Sequence, residues 1–172
     1  MKTTLHLLIA SVAILGLSAV AQKAHGVVPA PDGSYPGFTT AEGQRALFSL
    51  TSGSGNTAIG WYSIFSNTQG SFNTATGAGT LLFNTADENT AYGTAALLNN
   101  TTGNQNTASG TVALFSNTTG VQNTGIGYSA LSSNTTAGAN SSGANTAVGA
   151  FALGSNVIGG ASTAIGYGAL YT

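Results

Sequence analysis

Asp87 and Glu88 are the one pair of adjacent carboxylates in the sequence. Such a pair can hold a cation weakly, but it lacks the repeated acidic pattern of calcium-binding β-rolls, and a polar turn is the plainer expectation. The only imidazoles, His6 and His25, lie close to the N-terminus, and there is no cysteine. From residue 39 onward, therefore, neither a Ser-His-Asp arrangement nor a His/Cys metal cluster can be assembled. The glycine-rich stretch Thr51-Ser-Gly-Ser-Gly55 lacks the lysine of a phosphate loop. Past residue 21 the charged side chains are Lys23, Asp32, Glu42, Arg45, Asp87 and Glu88. A nucleic-acid binder needs a basic footprint, and none is present. The expectation is a chain without enzymatic activity, cofactor or metal.

What the sequence does carry is a period. Asn-Thr-Ala-x-Gly begins at Asn56, Asn73, Asn89, Asn106, Asn123 (Gly125 in the Ala place) and Asn145, with degenerate copies at Thr39 and Ser162; successive starts are 17, 17, 16, 17, 17, 22 and 17 residues apart. Within the unit the fifth place is glycine throughout, from Gly43 and Gly60 to Gly166, and the second is threonine. The ninth place is Leu47, Ile64, Leu81, Leu97, Leu114, Leu131, Leu153 and Leu170. A second asparagine column follows the first by eleven residues, at Asn67, Asn84, Asn100, Asn117, Asn134 and Asn156.

Units this short, and this rich in Gly and Asn, cannot form the helix pairs of an α-solenoid. They suit an all-β parallel solenoid, a β-roll of about eight coils, with two short strands per coil and a bend at each asparagine, where Asn and Gly tolerate left-handed backbone. Stacking puts like residues above one another at about 4.7–4.8 Å. The asparagines then form amide ladders at the corners, and the Leu/Ile column an apolar spine worth on the order of 2 kcal/mol per fully buried side chain. Against a backbone ordering cost of about 1–2 kcal/mol per residue, so thin a coil calls for further burial.

The tenth place holds Phe48, Phe65, Leu82, Leu98, Phe115 and Tyr171, failing at Ser132 and Gly154. If the ninth place faces in, alternation along a strand turns the tenth out, and a continuous exposed apolar stripe marks a protein contact. The expectation is a homo-oligomer packed side by side through this stripe and through Ile59, Tyr92, Ile126, Val148 and Ile165 in the fourth place. The alternative is a kinked segment with both columns internal. Trp61 and Tyr62 fit either an aromatic contact for sugar or protein or a place in the packed stripe. Glu42 and Arg45 in the first unit read as a cap on the stack.

Asn56-Thr-Ala-Ile-Gly60, echoed at Thr163-Ala-Ile-Gly166, resembles the Asn-Ser-Val-Ala-Ile-Gly repeat of YadA-type heads in trimeric autotransporter adhesins. The phrase from Asn106 to Gly120 is similar to repeats of some bacterial surface and phage tail-fibre-like proteins. The resemblance covers residues 39 to 172. It implies a left-handed β-roll, three chains side by side, displayed at a cell surface for attachment to a protein or glycan. The unit here is longer than the adhesin-head coil, and no heptad pattern follows Thr39.

Residues 1–21 have the plan of a secretory signal peptide: Lys2, an apolar run from Leu5 to Val20, and a small-x-small end at Ala19-Val20-Ala21. Residues 22–38, with Pro29, Pro31 and Pro36, read as a linker or N-terminal cap, and residues 39–172 as the repeat domain. The extra residues around Ala137–Gly143 predict a loop bulging from the stack. Sequons at Asn99, Asn100, Asn117, Asn134 and Asn140 coincide largely with the repeat's own corners. The functional expectation is a secreted or surface-displayed structural or adhesive protein, a homotrimer without a membrane span in its mature part. A monomeric ligand- or ice-binding solenoid and a self-polymerising fibre subunit are the alternatives.

Overall fold

The computed structural model describes residues 37–135 and 143–171. The signal-peptide reading, most of the linker, the core of the inserted loop and Asn140 lie outside them.

Each unit places one short strand at its Thr-Ala-x segment: β1 (Thr40–Glu42), β2 (Thr57–Ile59), β3 (Thr74–Thr76), β4 (Thr90–Tyr92), β5 (Thr107–Ser109), β6 (Thr124–Ile126), β7 (Thr146–Val148) and β8 (Thr163–Ile165). These form one parallel sheet in sequence order. The register is in phase throughout, Thr40 opposite Thr57 and so on to Thr146 opposite Thr163. The chain is an all-β solenoid with the expected coil length, and among the described residues no helix is long and apolar enough to cross a membrane.

Among the described residues the second strand expected in each coil is absent. In its place runs a turn segment in which the seventh and ninth residues take left-handed backbone, as in Tyr62 (φ 55°) and Ile64 (φ 49°), or Val112 (φ 53°) and Leu114 (φ 52°). Backbone of this kind cannot form a β-ladder, but it bonds alternately up and down the stack. Tyr62 N–H donates to Gln44 O of the preceding coil at 2.9 Å, and Ile64 N–H to Thr80 O of the following coil at 2.9 Å. The left-handed conformation costs a branched residue roughly 1–2 kcal/mol, which burial of its side chain, worth about 1.5–3 kcal/mol, offsets.

Two walls therefore enclose the core. The strand wall turns its third residue inward (Ala58, Ala75, Ala91, Ala108), and the turn wall its eighth and ninth (Ala96 and Leu97, Ala113 and Leu114), all buried. The walls meet across a narrow gap: a methyl group built on Gly125, which stands in the Ala place, would lie 3.2 Å from Leu114 Cγ and 3.2 Å from Ala130 O. At the bend between the walls the fifth-place glycines stack directly. Gly60 has φ 130°, and a Cβ there would come within 2.5 Å of Gly77 O. Only glycine permits both the dihedral and the approach.

Candidate interaction surfaces

The first asparagine ladder is completely buried from Asn56 through Asn145. Asn106 Oδ1 accepts the backbone N–H of Asn123 at 2.9 Å and its side-chain Nδ2–H at 3.2 Å, while Asn106 Nδ2 donates to Asn89 Oδ1 at 3.2 Å and to Gly120 O at 2.7 Å. The same pattern links Asn56 to Asn73, Asn73 to Asn89 and Asn123 to Asn145 through the backbone N–H of the following asparagine. In the second ladder Asn100 donates to Asn84, Asn117 to Asn100, Asn134 to Asn117 and Asn156 to Asn134, side chain to side chain. Asn67 sits at the start of this column, bonded to Gly70.

None of these asparagines takes the left-handed backbone expected of them; that falls on the residue before the first column, as in Phe72 (φ 58°), Glu88 (φ 58°) and Gln105 (φ 58°). The asparagines serve through their amides, satisfying buried backbone groups that would otherwise be stranded. They are internal ties rather than a displayed surface, and the sequons at Asn100, Asn117 and Asn134 are sealed within them. Asn99, by contrast, is half-buried.

The ninth-place column is buried from Leu47 to Leu153. Leu170 departs from it, at 57% exposed, because no described coil stacks on its far side. The third column, alanine except at Gly125, and the Ala/Ser/Thr eighth column share the core; the sequence marks the first through its motif but gives no signal for the eighth.

Outside the turn wall runs the tenth-place stripe. Phe65, Leu82, Leu98 and Phe115 are half-buried, and Phe48 and Tyr171 exposed. Seventh-place side chains pack beside them. Phe48 and Phe65 stack with ring centres 5.5 Å apart, Tyr62 lies 4.8 Å from Phe65, and Arg45 stands 5.2 Å over Phe48 and 5.6 Å over Tyr62. At the other end Phe151 is edge-on to Tyr128, Tyr167 and Tyr171 at 5.2–5.9 Å. The stripe thus has an aromatic cluster at each end and an aliphatic middle. The fourth-place residues Ile59, Tyr92, Ile126 and Ile165 project from the opposite, strand wall. A single flat contact covers one of these faces.

The carboxylates of Asp87 and Glu88 are engaged with neighbouring coils. Asp87 Oδ1 accepts the N–H of Ser71 at 2.7 Å, and Glu88 Oε2 accepts Gln105 Nε2–H at 2.8 Å. Among the described residues no group of three or more His, Asp or Glu side chains is placed to hold a metal ion. The sequence matches no family model, and neither curated proteins nor solved structures give a match.

Proposed function

We propose that this is an exported, non-enzymatic surface protein that presents a repetitive solenoid for attachment, and that it works as a homotrimer whose copies pack through the tenth-place stripe. The observation that carries the reading is the stripe itself: from Phe48 to Phe115, five successive coils each place a large apolar side chain, half-buried or exposed, on the outside of one wall. A row of this kind gains its remaining burial from a second chain. Phe83 and Phe72, both exposed, are single side chains and form no such row.

The resemblance to adhesin-head repeats supports three copies and an attachment role. The nearly neutral charge, net −1, suits side-by-side packing of identical chains, since like charges do not accumulate along the contact. Light scattering on the size-exclusion peak tests the assembly: three times the chain mass is expected, and a stable monomer overturns it.

The in-register threonines of the strand wall favour a second reading, a monomeric ice-binding solenoid. Thermal hysteresis of a monomeric solution would establish it, although Tyr92, 64% exposed, interrupts the flatness such a face requires.

A further inference from the structure

The first and eighth coils are unequal. In the first, Ala41, Ala46 and Leu47 are buried, at 7–8% exposed. In the eighth, Leu170 is 57%, Ile165 72% and Tyr167 82% exposed. β8 is an edge strand, paired with β7 alone among the described residues. In every preceding coil the N–H groups of the second and ninth residues donate to the following coil, as Thr146 does to Ser162 O at 2.8 Å and Leu153 to Ala169 O at 2.9 Å. The fourth carbonyl accepts in return, as Val148 O does from Gly166 N–H at 2.8 Å. In the eighth coil the N–H groups of Thr163 and Leu170 and the carbonyl of Ile165 have no described coil to meet. Strand edges left open are ordinarily blunted by charge or proline. The first coil carries Glu42 and Arg45, whereas residues 162–171 hold neither a charge nor a proline.

We propose that this edge joins a second copy of the chain end to end, eighth coil against eighth coil, about a twofold axis through Ala164. Ser162 O and Gly166 N–H are spent on β7, so alternation along the strand turns the N–H and C=O groups of Thr163 and Ile165 away from it. In an antiparallel pair, residues that face each other in this way exchange both hydrogen bonds. Thr163 of each copy then pairs with Ile165 of the other, and Ala164 lies opposite itself. The edge is its own complement. The third place also lies across the core from the ninth, since a methyl group on Gly125 would stand 3.2 Å from Leu114 Cγ. An axis through Ala164 and perpendicular to the sheet therefore runs beside Leu170, and the two Leu170 side chains cover each other, carrying the Leu/Ile spine across the junction.

The first coil of another copy is not a rival occupant, because its core places are already covered. The contact therefore closes on two copies instead of propagating as a fibre. The same axis leaves through the turn wall, where the tenth-place stripe lies, and so meets the threefold axis of the assembly proposed above. Three end contacts then form together and join two trimers into six chains. One contact of this size is weak, and three acting at once are much stronger.

The inference goes beyond the attachment reading and takes from it only the number of chains. The test is sedimentation velocity of the purified protein across a concentration series. The mass is expected to be three chains at the dilution of a size-exclusion peak and to double to six as concentration rises. Thr163→Pro removes an outward N–H that no described group accepts. Leu170→Asp sets two like charges against each other at the axis, and aspartate tolerates the left-handed backbone there, φ 52°. Both variants are expected to stay at three chains throughout, with an unchanged circular dichroism spectrum, while Thr111→Asp, exposed on the fifth coil, doubles like the parent. A parent mass that does not rise with concentration overturns the proposal, as does doubling that survives both end variants. Growth past six chains into fibres also overturns it, in favour of first coil on eighth. A parent that passes from one chain to two counts against the trimer alone, whereas a trimer that never doubles counts against this inference alone.

Discussion

Asn56 and Asn67, eleven residues apart in the chain, donate to one and the same oxygen: the carbonyl of Gly70 receives Asn56 Nδ2–H at 2.8 Å and Asn67 Nδ2–H at 2.7 Å. The arrangement recurs at Gly103, reached by Asn89 and Asn100, at Gly120, reached by Asn106 and Asn117, and at Gly159, reached by Asn145 and Asn156. In the shortened unit Ala86 takes the same role for Asn73 and Asn84. In these five units the two asparagine columns close the coil on itself while the Oδ1 atoms of the first column tie it to the next. This is how a coil with so small an apolar core keeps its interior polar groups paired.

Asn106→Ala removes the acceptor of the buried backbone N–H of Asn123 and one of the two amide donors to Gly120 O, which Asn117 still reaches. The stranded N–H is expected to cost roughly 1–3 kcal/mol. Thr118→Val, which removes a part-buried hydroxyl donating to Thr135 O at 2.9 Å, is expected to cost no more than about 1.5 kcal/mol. Urea denaturation of the two variants checks the order.

Leu114→Ala is expected to destabilise by about 2–5 kcal/mol, since it empties a fully buried site between two coils that cannot collapse onto it. Leu170→Ala, at the exposed end of the same column, is expected to change stability by less than about 0.5 kcal/mol. Thermal melts of both variants distinguish a spine whose value depends on stacking from one of uniform weight.

Gly93→Ala would drive a methyl group to 2.7 Å from Gly110 C at φ 121°, where both contact and dihedral oppose it. A loss above about 3 kcal/mol, or failure to fold, is expected, because strain of this kind alone costs about 1–3 kcal/mol. Gly79→Ala meets only Leu98 Cδ1, at 3.7 Å, with φ 65°. It is expected to cost about 1–2 kcal/mol, the left-handed penalty alone.

The double variant Leu98→Ser, Phe115→Ser is expected to convert the proposed trimer to monomers in light scattering and to make the thermal transition independent of concentration, where that of the parent is expected to rise with concentration. An unchanged mass would move the contact off the tenth-place stripe.

Much of this was legible in the residues. The 17-residue spacing required a repeat, and Gly, Thr and Leu/Ile columns in so short a unit required a stacked parallel β-coil. The outward turn of Phe65 and Phe115 relative to Ile64 and Leu114 also follows from the order of the residues, although the backbone that produces it is not a strand. The second strand was misread because Phe, Tyr and Leu favour extended backbone, and nothing local marks Ile64 or Leu114 for a positive φ; burial and bonds to two neighbouring coils impose it. For the same reason asparagine was expected to serve the bends through its tolerance of left-handed backbone.

By itself, then, the sequence determined the period, the solenoid class and the Leu/Ile spine, because each of these is a property of residue type at fixed spacing. The tertiary structure alone decided which wall each column occupies and that the asparagines are buried ties rather than corners on display. Those relations join residues whose distance depends on how one coil lies on the next, and only stacking in three dimensions brings them together.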